Sequence, residues 1–380
     1  MELKQLRQEI DKIDEQLTEL LTQRMEVSAR IAHYKVEHNL PVYDPQLERQ
    51  KRANMAEKVG DELAPATDAL FSLLFDLSRS CQNQITAGET PVKADIRRAL
   101  AETDKIFPTR PIVACQGVEG AFSQQACERI FPSASIMYFN TFEGVFAAIE
   151  QGLCRYGVLP LENSTAGSVN RIYDLMMKHN FFIVRSSRVK VDHCLLANKM
   201  TKISDIREIY SHEQAISQCT DMLKKFDNVR VIPCENTAAA AKMIFESGRT
   251  DAAALSSRNC AEIYGLDCLL ESVQDQGNNY TRFICISREL EIYPGANRTS
   301  LMLVLPNRQG SLYRALSRFN ALGINLLKLE SRPLPNSDFE FMFYFDLEMS
   351  AQSDVFLRMF DDLSGLSTNI KYLGTYSEVI

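Results

Sequence analysis

Apolar residues at Leu3, Leu6, Ile10, Ile13, Leu17, Leu20, Val27 and Ile31 follow one another in alternating steps of three and four, with a single gap between Leu20 and Val27. That spacing draws one stripe along an α-helix and makes a heptad seam, so the chain opens with a helix that needs other helices against it. The residue that fills the gap in the seam is Arg24. A guanidinium facing a helix–helix interface is costly unless an anion meets it. A snorkelling arginine or a structural ion pair is the plain alternative. Lys35 returns to within about 20° of the direction of Arg24, roughly 16 Å along the axis, so the two can grip the ends of a small dianion. Arg7 lies about 25 Å from Arg24 and is rotated off its face, so any role it has in such a site is on a partner chain.

The helical pattern stops near His38-Asn39-Leu40-Pro41, and Asp44-Pro45 supplies an N-cap and an N1 proline for a second helix carrying Glu48. A third helix is expected around Pro65 to Gln84, with Leu70, Leu73, Leu74 and Leu77 inward and Ser80 and Gln84 on one face. Cations, carboxylates and an amide aimed inward suggest a bundle with a polar pocket. On Arg7, Arg24, Lys35, Asp44, Glu48, Ser80 and Gln84, residues 1–88 resemble the all-α chorismate mutase family. The resemblance implies an intertwined homodimer in which the first helix lends Arg7 to the other protomer. It also implies arginines on the two carboxylates of chorismate, Lys35 and Gln84 at its ether oxygen, and Asp44 and Glu48 at its ring hydroxyl. The rearrangement is pericyclic, so positioning and electrostatic stabilisation suffice without a nucleophile. That family usually carries arginine before Glu48. Here the residue is Leu47, which implies weakened mutase activity, or a bundle kept only for dimerisation.

At 380 residues the chain is long enough for two or three domains. A hydrophobic content of 45%, a charged content of 24% and a net charge of −7 describe a globular protein whose main partner is neither nucleic acid nor an anionic membrane. Its ten cysteines include no CxxC pair and read as reduced, buried side chains, which fits the cytoplasm. The five histidines make no metal-spaced pair with them, so no metal and no cofactor are expected. The opening helix is acidic and unlike a signal peptide, and no apolar run approaches the ~18 residues of a membrane span.

Residues 89–110 read as a proline-marked linker with a short helix. From Ile112 strands and helices alternate. Gly117 and Gly120 flank a loop before a helix over Phe122–Ile130, where an anion could sit, although the loop is too short for a dinucleotide fingerprint. Strand Tyr156–Leu159 runs into Pro160-Leu161-Glu162-Asn163-Ser164, with Gly167-Ser168 beyond. Further strands end in Ser211-His212-Glu213-Gln214, in Glu235-Asn236-Thr237 and in Ser256-Ser257. Asn278-Asn279-Tyr280-Thr281-Arg282-Phe283 leads into the apolar run Ile284-Cys285-Ile286. Polar clusters at successive strand ends, converging on one cleft, suggest a polar ligand. On these motifs, with Gln218 and Tyr264-Gly265-Leu266, residues 111–288 resemble the prephenate dehydratase family. The resemblance implies a two-lobed α/β fold like that of periplasmic binding proteins, the second lobe inserted over about residues 190–270. It implies that the Thr281 hydroxyl protonates the departing hydroxide, while Asn163, Ser164, Ser211, Gln218 and Glu235 position substrate or polarise Thr281. Arg282 is either a counter-ion to prephenate or a brace for its own loop.

Residues 298–376 follow the order strand, helix, strand, strand, helix, strand, a ferredoxin-like layout. They resemble the amino-acid-binding ACT family. Gly310-Ser311-Leu312 and Glu330-Ser331-Arg332 match its phenylalanine-binding motifs, which implies phenylalanine as an effector. The expected fold class is therefore multidomain: an all-α bundle, a two-lobed α/β domain and an α+β ferredoxin-like domain. That order resembles the bifunctional chorismate mutase/prephenate dehydratase family and implies conversion of chorismate to prephenate and then to phenylpyruvate. A non-catalytic amino-acid sensor is the competing expectation.

Overall fold

The structure, a computed structural model, describes residues 3–86, 88–334, 340–367 and 369–379. In chain order its elements are helices α1 (Leu3–Glu37), α2 (Pro45–Ala56), α3 (Ala64–Thr86) and α4 (Pro91–Glu102), then β1 (Ile112–Gln116), α5 (Phe122–Ile130), β2 (Ser135–Phe139), α6 (Phe142–Glu150), β3 (Tyr156–Asn163), β4 (Gly167–Ser168), α7 (Asn170–Lys178) and β5 (Phe182–Lys190). There follow β6 (His193–Ala197), β7 (Glu208–Ser211), α8 (Glu213–Gln218), α9 (Thr220–Leu223), β8 (Arg230–Pro233), α10 (Thr237–Ser247), β9 (Ala252–Ser257), α11 (Arg258–Tyr264), β10 (Asp267–Leu270) and β11 (Tyr280–Ser287). The last are β12 (Arg298–Leu305), α12 (Ser311–Ala321), β13 (Asn325–Pro333), β14 (Phe341–Glu348), α13 (Asp354–Ser364) and β15 (Asn369–Val379). They form two compact units, residues 1–95 with 301–371 and residues 96–300 with 372–380.

In the first unit α1 runs for 35 residues because neither Gly nor Pro interrupts it. It stops where Asn39 turns left-handed at φ 52° and Leu40 N–H closes on the Lys35 carbonyl at 2.9 Å. Asp44 caps α2 by accepting from the Gln46 and Leu47 N–H groups, with Pro45 as the first helical residue. Both α1 and α2 pack on α3. The heptad seam from Leu3 to Leu20 is exposed, Leu3 at 64% and Leu20 at 60%. Another face of α3 meets α13. β13, β14 and β12 lie side by side, β13 antiparallel to β14, with α12 against α13 and β13. The expected strand start at Phe339 lies outside the described residues, and β14 is seen from Phe341.

The second unit holds two sheets. One has the order β5-β11-β3-β1-β2, with β4 beside β3 and residues Ser377–Val379 of β15 parallel to β5. The other has the order β10-β6-β9-β7-β8, and its β9 buries Ala252, Ala253 and Ala254. The two glycines between β1 and α5 do not present their N–H groups to an anion, as the sequence suggested they could. Gly120 N–H is taken by Gln124 Oε1 at 2.7 Å and Gly117 N–H by the Phe139 carbonyl at 2.8 Å. Instead the loop packs against α11. Ser257 Oγ donates to the Gly120 carbonyl at 3.1 Å, and a Cβ on Gly120 would sit 2.6 Å from Cys260 Sγ at φ +89°. Glycine is therefore required by close approach as well as by conformation.

Strand β11 lies between β3 and β5, and its alternation separates two neighbouring residues. Thr281 pairs with Asn163 and Arg282 with Glu162, so Thr281 and Arg282 point to opposite faces. Arg282 is 5% exposed. It reaches Glu162 Oε1 at 3.2 Å, the Tyr376 hydroxyl at 2.8 Å and Glu378 Oε1 at 3.7 Å. Glu378 is also met by Arg188 at 3.2 Å and Arg298 at 2.9 Å. Of the two roles the sequence left open for Arg282, the geometry supports the brace and removes the substrate counter-ion, because the guanidinium is consumed on the far face of the strand. Truncating one member of a buried charge cluster strands the others, at a cost of about 3–5 kcal/mol. Arg282→Met should lower the urea midpoint of the full chain by an amount corresponding to that loss. A midpoint equal to that of the parent would show that the cluster holds nothing.

Candidate active sites

The helices enclose a cavity of about 320 Å³, lined among others by Arg24, Lys35, Asp44, Glu48, Ser78 and Gln82. Arg24 enters from the seam, donates to the Leu74 carbonyl at 2.8 Å and to Ser78 Oγ, and lies over the Phe75 ring. Lys35 Nζ donates to Gln82 Oε1 at 3.1 Å and to the Val42 carbonyl at 2.7 Å. Gln82 Nε2 in turn donates to Ser28 Oγ at 3.2 Å. Burial lowers the pKa of Arg24 from its ordinary value, and the charge of Glu48 opposes the shift. Burial likewise lowers Lys35, against Asp44 and Glu48. Two half-buried cations, two carboxylates and a side-chain amide therefore face one small space, an arrangement suited to a dianion bearing a hydroxyl.

Two sequence expectations for this pocket are corrected. Ser80 and Gln84 do not line it. Ser80 Oγ donates to Asp362 Oδ1 on α13, and Gln84 Nε2 donates to the same oxygen at 3.4 Å. Ser78 and Gln82 are also four apart on α3. Moving two residues along a helix turns the face by about 200°, which exchanges the pocket side for the α13 side. Arg7 is exposed on α1, remote from Arg24, and Leu47 lines the cavity with an alkyl chain.

In the second unit a polar network surrounds Thr281. Asn163 Nδ2 donates to Thr281 Oγ1 at 2.9 Å and to Asn279 Oδ1 at 2.7 Å. Asn163 Oδ1 accepts from Thr165 Oγ1 at 2.7 Å and from the Ala166 N–H at 2.9 Å. Asn279 Nδ2 donates to Gln218 Oε1 at 2.8 Å, and Gln218 Nε2 donates to Thr165 Oγ1 at 3.0 Å. His193 Nε2 lies 3.3 Å from Gln218 Oε1. An amide oxygen only accepts, so Nε2 carries the hydrogen and Nδ1 holds the lone pair. Burial lowers the pKa of His193, against the Gln218 hydrogen bond and the charge of Asp192, which favours the neutral ring. Thr165, Gln218 and Asn279 open onto a cavity of about 260 Å³ with Gln214, Ser217 and Gln276. A larger hollow of about 860 Å³, bounded by Ile203, Arg207, Phe226 and Leu270, holds none of this network.

The remaining cleft candidates divide. Ser211 is fully buried and its hydroxyl donates to the Leu255 carbonyl at 2.7 Å, so it ties β7 to β9 and is not presented to a substrate. Ser164 Oγ donates to the Asn278 carbonyl and accepts from the Tyr280 N–H, clamping the loop before Thr281. Glu235 is exposed just before Asn236, the cap of α10, and is not among the residues lining the cavity. Sequence reading assigned no role to Thr165, Asn279 or His193, although Asn279 stood in the polar motif before β11. Asn279 could have been found, since it alternates with Thr281 onto the same face of the strand.

In the first unit Gly310 opens α12 at φ +79° with no side-chain cap. Ser311 is buried and its hydroxyl has no hydrogen-bond partner among the described residues. Leu312 is the second residue of the helix. Glu330, Ser331 and Arg332 lie together on β13. Among the described residues no helix is long and apolar enough to cross a membrane.

The profile of the prephenate dehydratase family matches residues 113–291, and that of chorismate mutase type II matches residues 6–83. The arogenate dehydratase/prephenate dehydratase 2 of Arabidopsis thaliana is 40% identical over 70% of this chain and 73% of its own length. The prephenate dehydratase of Arthrobacter aurescens, solved with L-Phe, superposes with a TM-score of 0.65 at 26% identity, covering 70% of this chain and 90% of that one. The bifunctional chorismate mutase/prephenate dehydratase of Aquifex aeolicus is 30% identical across 100% of this chain and 99% of its own. With the mutase profile falling on the helical pocket and the dehydratase profile on the Thr281 cleft, both in one chain, this protein belongs to the bifunctional chorismate mutase/prephenate dehydratase family.

Proposed function

We propose that the helical pocket rearranges chorismate to prephenate and that the cleft beside Thr281 converts prephenate to phenylpyruvate with loss of CO2 and water. In the first step Arg24 binds a carboxylate, and Lys35 and Gln82 meet the ether oxygen, whose negative charge grows in the transition state. Asp44 and Glu48 hold the ring hydroxyl. The exposed apolar seam of α1 fits a second copy of the chain, whose Arg7 then supplies the remaining carboxylate contact.

For the second step the observation that carries the reading is the hydrogen bond from Asn163 to Thr281. Because Thr281 Oγ1 accepts from Asn163 Nδ2, its own hydrogen is available to the cleft. As the carboxyl leaves as CO2, its electron pair enters the ring and expels hydroxide, which takes a proton from Thr281 and departs as water. The donated hydrogen bond from Asn163 stabilises the oxygen left behind. Thr281→Val keeps the shape and removes the donor, and kcat on prephenate should fall by ~10²-fold or more with little change in KM. A near-normal kcat would remove Thr281 from the chemistry.

The βαββαβ segment reads as an ACT domain that binds phenylalanine. The uncapped start of α12 at Gly310 and the unpartnered Ser311 hydroxyl suit an amino-acid carboxylate, with Leu312 beside it and Glu330, Ser331 and Arg332 on the facing side of a dimer. Gly310→Val forces a branched residue into the left-handed region and should abolish phenylalanine binding in calorimetry together with inhibition of the dehydratase, leaving the uninhibited rate unchanged. Inhibition that persists without binding at this site would place the effector in the catalytic cleft.

A further inference from the structure

The wall that α2 gives the helical pocket contributes Leu47, Glu48 and the exposed Lys51, after Asp44 at its cap. A dianion entering there meets two carboxylates, an alkyl chain and one solvent-exposed ammonium. Arg79 of α3 lines the same pocket, and its side chain is only 12% exposed. Its guanidinium pairs with Glu48 Oε2 through one nitrogen and with Asp76 Oδ1 through another, and it lies 5.0 Å from the centre of the Tyr43 ring. Glu48 Oε1 has no hydrogen-bond partner among the described residues. The fork of an arginine can hold one carboxylate oxygen and leave the other for a ligand, which a point-like ammonium does less well.

We infer that Arg79 is a positioning residue of the mutase site: it fixes Glu48 by one oxygen, leaves the other for the substrate's ring hydroxyl, and offsets the charge that would otherwise repel the dianion. The inference rests on the mutase reading of this pocket. It assigns to α3 a largely buried cation, where α2 gives the pocket only the exposed Lys51 beside Leu47. Tyr43 beneath the guanidinium and Asp76 behind it keep the fork in one orientation.

The test is a double-mutant cycle on the full-length protein. Arg79→Leu is made together with Asp76→Asn, so that no buried carboxylate is stranded, and is compared in backgrounds carrying Glu48 or Glu48→Gln. Far-UV circular dichroism and the dehydratase rate report folding. With Glu48 present, KM for chorismate should rise ~10-fold with a smaller fall in kcat. With Glu48→Gln in place, the same change should have little further effect, since residues that act through one another are not additive. Arg79→Lys should recover part of the loss. An unchanged KM overturns the proposal, as does an equal rise in both backgrounds, which would make Arg79 a brace of the bundle. A rise produced by Lys51→Gln but not by the Arg79 change would move the role to Lys51 and also overturn it. Parent protein that rearranges chorismate no faster than buffer would overturn the mutase reading itself, a result separate from the comparison between variants.

Discussion

Three guanidiniums, from Arg188, Arg282 and Arg298, gather around the carboxylate of Glu378. Its centre is nearly dry, with the Arg282 side chain 5% and the Glu378 side chain 6% exposed, while Arg188 reaches in from solvent at 51%. Charges so enclosed persist only when they are matched, and here Glu162 and the Tyr376 hydroxyl complete the match. The cluster draws on β3, β5, β11, β12 and β15, so one set of electrostatic contacts fixes the registers of strands far apart in sequence. Strand β11 is the central member. With Arg282 anchored on one face, Thr281 on the next residue is held toward Asn163 and the cleft. The last strand is thus part of the dehydratase unit from Tyr372 onward, although its first residues, 369–371, belong to the other unit.

Helix α3 distributes its polar residues in a comparable way. Ser78 and Gln82 face the pocket, while Ser80 and Gln84 face Asp362, and Asp76 stands beside Arg318. Helix α3 has α1 and α2 against one part of its surface and α13 against another, while Leu70 and Leu73, expected inward, stay about half exposed on the side left over. Burial lowers the pKa of Arg318, opposed by the charges of Asp76 and Asp362, so its ion pair is part of the packing and not of a solvated rim. Whatever shifts α13 therefore meets α3 through hydrogen bonds placed two residues from those that meet Lys35 and Arg24.

How much of this was legible in the sequence depended on whether the signal was local. The helix start at Asp44-Pro45, the helix over Phe122–Ile130 and the βαββαβ order were all written in caps and periodicity, and the structure shows each of them. Arg24 was legible because a charge interrupted a seam. Ser78 and Gln82 were not, because a second Ser/Gln pair with the same spacing stood two residues away and nothing local distinguishes one helix face from its opposite when both are covered. Ser211 read as a ligand group because it ends a strand, but its hydroxyl is spent on the neighbouring strand's carbonyl, a long-range fact. Arg282 carried a usable clue, since alternation along β11 cannot send both it and Thr281 into one cleft.

The two proposed sites handle isomeric dianions with different means, and the chemistry accounts for the difference. The rearrangement must hold a flexible side chain over the ring while negative charge grows on the ether oxygen, so fixed cations at both ends of the substrate act directly on the barrier. The bundle offers Arg24 and Lys35 for that purpose, partly desolvated and therefore strong. Dehydration instead draws on the stability of the aromatic product and needs a proton at one oxygen, with water kept away from it. The cavity wall beside Thr281 accordingly consists largely of amides and hydroxyls, from Thr165, Gln214, Ser217, Gln218 and Asn279. A cation placed there would bind the departing carboxylate more tightly before the reaction than after it, and so would oppose the loss of CO2. Sending Arg282 to the far face of its strand keeps the guanidinium for the architecture and out of the chemistry.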